Sequence, residues 1–151
     1  MTSSFVEIAV ARHFNYRMNL IIPNVYWGLG LSYEVDLLIV SPSGYATEVE
    51  IKVSKSDIKA DLSKRHTHNS KLIKRFYFAV PESLADCEYL PKDAGLVTVT
   101  DFGVCKILRP PRVNKEARRL SEGQLHILRG LAAMRIWDLK ESIARLTKRW
   151  K

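Results

Sequence analysis

The chain has 151 residues, 46% of them hydrophobic and 26% charged, with a formal net charge of +8. That length suits one domain with its own core, and no run approaches the ~20 apolar residues of a membrane span. The first residues lack a charged segment followed by an apolar one, so no secretory signal is expected; Cys87 and Cys105 have no metal-ligand spacing and are expected to be reduced thiols in a cytoplasmic protein.

Ser4 and Glu7 have the spacing of a capping box, which opens a helix to about Phe14. Residues 19–27 read as a first strand, at an edge or interrupted because of Pro23. Two alternating runs, 33–40 and 45–53, follow on either side of a Ser-Pro-Ser-Gly turn. Ser56 is expected to cap a short helix to about Arg65, with Ile58 and Leu62 on one face. Residues 75–80 form an apolar run ended by Pro81 and read as a buried strand; 95–100 is another. Asp101-Phe102-Gly103 turns into a strand over 104–108 that stops at Pro110-Pro111. The remainder, 114–150, has helical composition. Leu125, Leu128, Ala132, Ile136, Leu139, Ile143 and Leu146 recur there at three- and four-residue spacing. The order predicts an α/β protein with a mixed sheet, an extra β-hairpin and C-terminal basic helices. It is read as one domain with a core over about 4–110 and a helical extension over about 112–151.

The hairpin carries the chemistry. Folding it about Pro42 and Ser43 gives partners whose numbers sum to 85 or 86, which sets Asp36 beside Glu50. Tyr33, Val35, Leu37 and Ile39 are expected on one face, with Glu48, Glu50 and Lys52 on the face opposite Val49, Ile51 and Val53. Directly opposed side chains have Cβ atoms only ~5 Å apart, and like charges there are destabilising. Two carboxylates so placed, with a lysine one pleat away, call for a cation between them, and a hard divalent ion such as Mg²⁺ takes oxygen ligands of this kind. Glu50 and Lys52 alone would more often be a solvated face; the added Asp36 and the apolar runs around all three sharpen the signal. Glu7 has two readings, a carboxylate near the ion or the capping partner of its own N-cap.

Charge is unevenly spread. Residues 1–51 carry two basic and five acidic side chains, residues 52–75 eight and two, residues 76–111 three and five, and residues 112–151 eleven and four. Acid thus gathers around the hairpin and base in two segments that could surround it. Basic surface of this kind attracts polyanions, with nucleic acid foremost. Lys64, Arg65 and Lys71 form a basic patch after the second helix, and Lys55 follows Lys52 closely. Each reads either as a phosphate contact or as a solvated charge. Trp27, Trp137 and Trp150 read as core or interface residues before base-stacking ones.

With these elements placed, the chain resembles a PD-(D/E)XK nuclease of the restriction-endonuclease-like fold, and the archaeal Holliday-junction resolvase branch in particular. That family's αβββαβ core carries an aspartate on the second strand, (Asp/Glu)-x-Lys on the third and often a glutamate on the first helix. Asp36 matches the first, Glu50-Ile51-Lys52 the second and Glu7 the third; Val35 stands where many members have proline. A closer resemblance, over about residues 30–135, is to the MmcB family of bacterial DNA repair proteins. It rests on Val49 to Asp57, on Arg75 to Pro81, on Leu90-Pro91 with Gly95-Leu96, and on Asp101 to Gly103 with Ile107-Leu108.

The resemblance implies a Mg²⁺- or Mn²⁺-dependent deoxyribonuclease acting in DNA repair or recombination. Asp36, Glu50 and the backbone carbonyl of Ile51 would hold the ion, with Glu7 as an optional further contact. Lys52 would position or help deprotonate the attacking water, or stabilise charge on the phosphate, leaving a 5′-phosphate product. Lys55, Lys64, Arg65 and Lys71 would contact DNA, and the 125–146 stripe would either pack against the sheet or supply a homodimer interface. Two other readings stand beside it: a DNA-binding repair module that does not cut, and an assembly protein acting through its helical tail.

Overall fold

The computed structural model describes residues 1–62 and 70–148. α1 (Ser3–His13) opens the chain, and its N-cap is Thr2, whose side chain accepts the N–H of Phe5 at 3.3 Å. The expected capping box at Ser4 is therefore displaced by two residues, because Thr2 takes the extended backbone that a cap requires. Glu7 is left free of any capping role. Val6, Ala9 and Val10 form the buried stripe of α1.

Six strands then lie side by side in chain order: β1 (Leu20–Val25), β2 (Val35–Val40), β3 (Ala46–Ile51), β4 (Ile73–Pro81), β5 (Gly95–Val99) and β6 (Cys105–Arg109). β1, β2 and β3 form an antiparallel meander; β3, β4 and β5 are parallel; β6 returns antiparallel to β5. Pro23 is tolerated because β1 is an edge strand and needs no second ladder. α2 (Lys55–Leu62) makes the crossover from β3 to β4, and Ser54, rather than Ser56, accepts the N–H of Asp57 at its start. The mixed sheet and the extra hairpin, β5–β6, are as expected.

The hairpin register is the expected one. Leu37 lies opposite Val49 and Leu38 opposite Glu48, and the turn is closed by Ser41 N–H to Tyr45 O and Gly44 N–H to Ser41 O, with Gly44 at φ 83°. Both faces of the sheet are covered, so neither strand of the hairpin has the solvated face that simple alternation suggests. On one side Leu37, Ile39, Val49, Tyr77, Ala79, Val97 and Val99 pack on α1. On the other, Leu38, Val40 and Ala46 meet Leu128 and Leu131, while Phe78, Val80 and Leu96 meet Ile58 of α2. Val35 departs from the expected face. It and Tyr33 join Leu38 and Val40, not Leu37 and Ile39. Their partner strand is twisted locally at Asn24, which has a left-handed φ of 53° and precedes Val25, the partner of Val35.

The C-terminal part is one helix, not several, and it starts later than expected. Residues 112–120 run as a strap across the start of β4 and the hairpin turn, with Asn114 N–H on Lys74 O, Arg118 N–H on Lys71 O and Leu120 N–H on Gly44 O. α3 (Glu122–Lys148) then begins with a reciprocal cap: Gln124 N–H donates to Ser121 Oγ, and Ser121 N–H to Gln124 Oε1. Only its first part is seated, through Leu128 and Leu131. Ile136, Leu139, Ile143 and Leu146 are exposed, as are Trp27 and Trp137, which the core does not take up.

Phe78 is fully buried and pairs in register with Glu50. Phe78→Ala is expected to cost about 3–5 kcal/mol in urea unfolding, from lost transfer energy and a cavity under the site.

Candidate active site at the end of the hairpin

The two carboxylates come together by register alone. One step beyond the Leu37–Val49 pair the register sets Asp36 beside Glu50, close enough for Asp36 to raise the Glu50 carboxyl. Asp36 Oδ2 also accepts the N–H of Ile51 at 2.8 Å, which ties its side chain to the end of β3. Lys52 folds back over this pair. Its Nζ lies 3.0 Å from Glu50 Oε2 and 3.2 Å from Asp61 Oδ1. Glu50 is 1% exposed and Lys52 8%, so this is a buried ionic cluster, not a surface pair.

Burial explains the titration. It pushes the Glu50 carboxyl up, and neighbouring Asp36 pushes it further, against the pull of Lys52, to about 7. For Lys52 burial acts downward, but Glu50, Asp61 and Asp36 outweigh it and hold the ammonium above the ordinary lysine range. Lys52 is thus a fixed cation, suited to stabilising negative charge. Glu7, half-buried on α1, is raised first by burial and then by Asp36, so it does lie within the field of the site.

Two features escaped the sequence reading. Asp61 shares the inner face of α2 with the buried Ile58, three residues earlier; an acid on an apolar helix face was the available signal. Glu48, fully buried, accepts the hydroxyl of Tyr33 at 2.8 Å. Burial and the neighbouring Glu48 and Glu50 raise Tyr33, which keeps it a donor.

Other predicted positions separate. Lys55 is exposed at the start of α2 and lines a cleft with Ser83, Leu84, Asp86, Cys87, Glu88 and Tyr89, to which Asp36, Glu50 and Lys52 contribute nothing. Lys71 lies before β4, where its carbonyl accepts the N–H of Arg118, at the opposite end of the parallel strands from Lys52. Lys64 and Arg65 lie outside the described residues, as does Trp150.

Among the described residues no three side chains of His, Cys, Asp and Glu are gathered as a metal cage. The pair still fits a hard ion. Mg²⁺ keeps several waters and is commonly bound through one or two carboxylates, and here two carboxylates are forced together while one of them retains its proton to near neutrality. An ion displacing that proton would relieve the repulsion.

The architecture and this cluster define a mixed α/β protein with a buried acid–lysine site at the carboxyl end of a central strand. Residues 5–143 match the family described as DNA repair protein MmcB-like, and the chain belongs to that family. No curated protein matches the sequence. A solved structure, a protein of unknown function from Silicibacter pomeroyi, is similar over 95% of this chain and 92% of its own, with a TM-score of 0.67 and 20% identity. That likeness is one of fold. No helix among the described residues is long and apolar enough to cross a membrane.

Because Glu50 holds its proton more tightly folded than unfolded, its contribution to stability is complete below pH ~4.5 and is lost as pH rises to about 7. Wild type is therefore expected to lose thermal stability between about pH 5 and 8, and Glu50→Gln to flatten that decline, melting several degrees above wild type at the upper end. Melting curves across the range check this.

Proposed function

We propose that this member of a DNA repair family is a metal-dependent DNA endonuclease of the PD-(D/E)XK type. The observation that carries the proposal is the cluster of half-buried Asp36 with buried Glu50 and Lys52, built on two adjacent antiparallel strands and closed by the ion pair of Lys52 with Glu50. The order α1-β1-β2-β3-α2-β4 is that of the restriction-endonuclease-like core, which supports the same reading.

Asp36, Glu50 and the carbonyl of Ile51 would hold Mg²⁺ or Mn²⁺, with Glu7 as a direct or water-mediated fourth contact. A bound ion would polarise the scissile phosphate and lower the pKa of a coordinated water. Lys52, charged and pinned by Asp61, would stabilise charge developing on the phosphate oxygens. The free thiols Cys87 and Cys105 fit a reducing compartment such as the cytoplasm.

The second reading is a DNA-binding repair module that does not cut: the basic residues of 112–151 would hold a polyanion whether or not the Asp36–Glu50–Lys52 cluster is catalytic. Branched, single-stranded and duplex DNAs incubated with Mg²⁺ or Mn²⁺ separate the two. The endonuclease reading expects EDTA-sensitive cutting, lowered by roughly 10²-fold or more in Lys52→Ala and Glu50→Ala, with DNA binding nearly intact. Salt-sensitive binding without cutting by wild type would favour the module.

Symmetric cleavage calls for two copies, and α3 suits a homodimer. Ile136, Leu139, Ile143 and Leu146 are spaced three, four and three apart, with isoleucine and leucine alternating, the pattern of a two-stranded helical seam. All four are more than half exposed. Sedimentation is expected to show a concentration-dependent dimer that Leu139→Lys converts to monomer without unfolding it.

A further inference from the structure

Another cluster of charge lies at the other end of the central strands. Lys71 and Lys74 stand at the start of β4, and Lys115, Arg118 and Arg119 on the strap that crosses it. Lys74 is half-buried and the other four are exposed. Glu116 is the one acid in the strap, and none of the five cations makes an ion pair among the described residues.

These cations are not on a loose loop. The strap is stitched to the sheet by Asn114, whose N–H donates to Lys74 O and whose Nδ2 donates to Ser70 O and Ile73 O. Arg118 N–H and Leu120 N–H extend the stitching to Lys71 and Gly44. Arg119 rests on the hairpin turn, where a Cβ on Gly44 would meet its Cβ at 3.6 Å. Two of the cations share one aromatic ring: Lys74 Nζ is 3.4 Å from the centroid of Tyr45, and the Arg119 guanidinium 5.4 Å. A fixed backbone that crowds like charges around one ring, with Glu116 the one acid on the strap and no ion pair to any of the five among the described residues, has the form of a surface prepared for a polyanion.

We propose that the strap and the start of β4, through Lys71, Lys74, Lys115, Arg118 and Arg119, form a second DNA contact that grips the phosphate backbone away from the Asp36–Glu50–Lys52 site. This rests on the reading that the chain acts on DNA, but not on its cutting DNA. Ala46 opens β3 and Lys52 lies just past its end, six residues apart in the sequence. At ~3.3 Å per residue that is about 20 Å, or about six base pairs at 3.4 Å each. DNA that engages both surfaces must therefore span at least about six base pairs.

The test is fluorescence anisotropy of a labelled 20-base-pair duplex against salt, using the full chain. Lys74→Gln/Arg118→Gln/Arg119→Gln is compared with Lys140→Gln/Arg145→Gln/Lys148→Gln, which removes the same charge from the far part of α3. Arg118→Gln/Arg119→Gln keeps the Lys74–Tyr45 contact, so a folding defect in the triple variant does not decide the result. Each lost phosphate contact lowers the slope of log affinity against log salt by about 0.9. The strap triple is expected to lose about 2–3 in slope and the double about 2, with the α3 control near wild type. An unchanged slope in the strap variants, an equal loss in the control, or no DNA binding by wild type would overturn the proposal. So would strap-dependent binding to phosphatidylserine vesicles with DNA binding unaffected. A wild type that binds through the strap yet cuts nothing would remove the nuclease reading and leave this surface standing.

Discussion

The placing of Asp36 beside the buried Glu50 is the constraint around which the site is arranged. Two carboxylates on opposed strands repel, and the chain answers with three devices. Glu50 keeps its proton far above the usual carboxylate range, Asp36 takes the amide of Ile51, and Lys52 turns back over the pair. Each is affordable only because the hairpin is rigid. Its strands sit inside a six-stranded sheet covered on both faces, so Glu50 cannot swing away to water without disrupting core packing.

Asp61 extends the cluster from the sheet to the crossover helix. Lys52 lies between acids on β3 and α2, and its charge is held in one position by both. A buried ion pair of this kind contributes little net stability, since desolvation offsets most of the attraction. What it does fix is placement: a cation held beside a carboxylate pair, the arrangement on which the proposed phosphodiester chemistry rests.

The remaining surface divides the molecule along its strands. At the carboxyl end of β3 lies the acidic cluster; at its amino end the strap lays cations over the hairpin turn. The C-terminal half of α3 leaves the sheet altogether with its apolar stripe uncovered. The same stripe that seats Leu128 and Leu131 thus passes from core to surface along one helix. Core contacts, exposed cations and an uncovered apolar stripe fall on successive stretches of residues 112–148.

Periodicity alone determined much of this. The alternation around a Ser-Pro-Ser-Gly turn sets the hairpin register, because a slip of one residue would turn every buried side chain to the wrong face; Asp36 opposite Glu50 follows from it. The apolar run of β4 and the edge position of β1 were likewise legible. What the sequence could not decide were matters of three-dimensional neighbourhood. Ser4 and Thr2 are both acceptable caps until the backbone chooses. Residues 112–120 look helical in composition, yet their backbone groups find partners on β4 and the hairpin turn. Lys55 and Lys71, close in sequence, are sent to opposite ends of the sheet by a parallel crossover. Asp61 looked like any helix acid until α2 packed its inner face on β4 and β5 and brought it to Lys52. Local pattern specifies which face of an element is buried; only the packing of the elements specifies what that face meets.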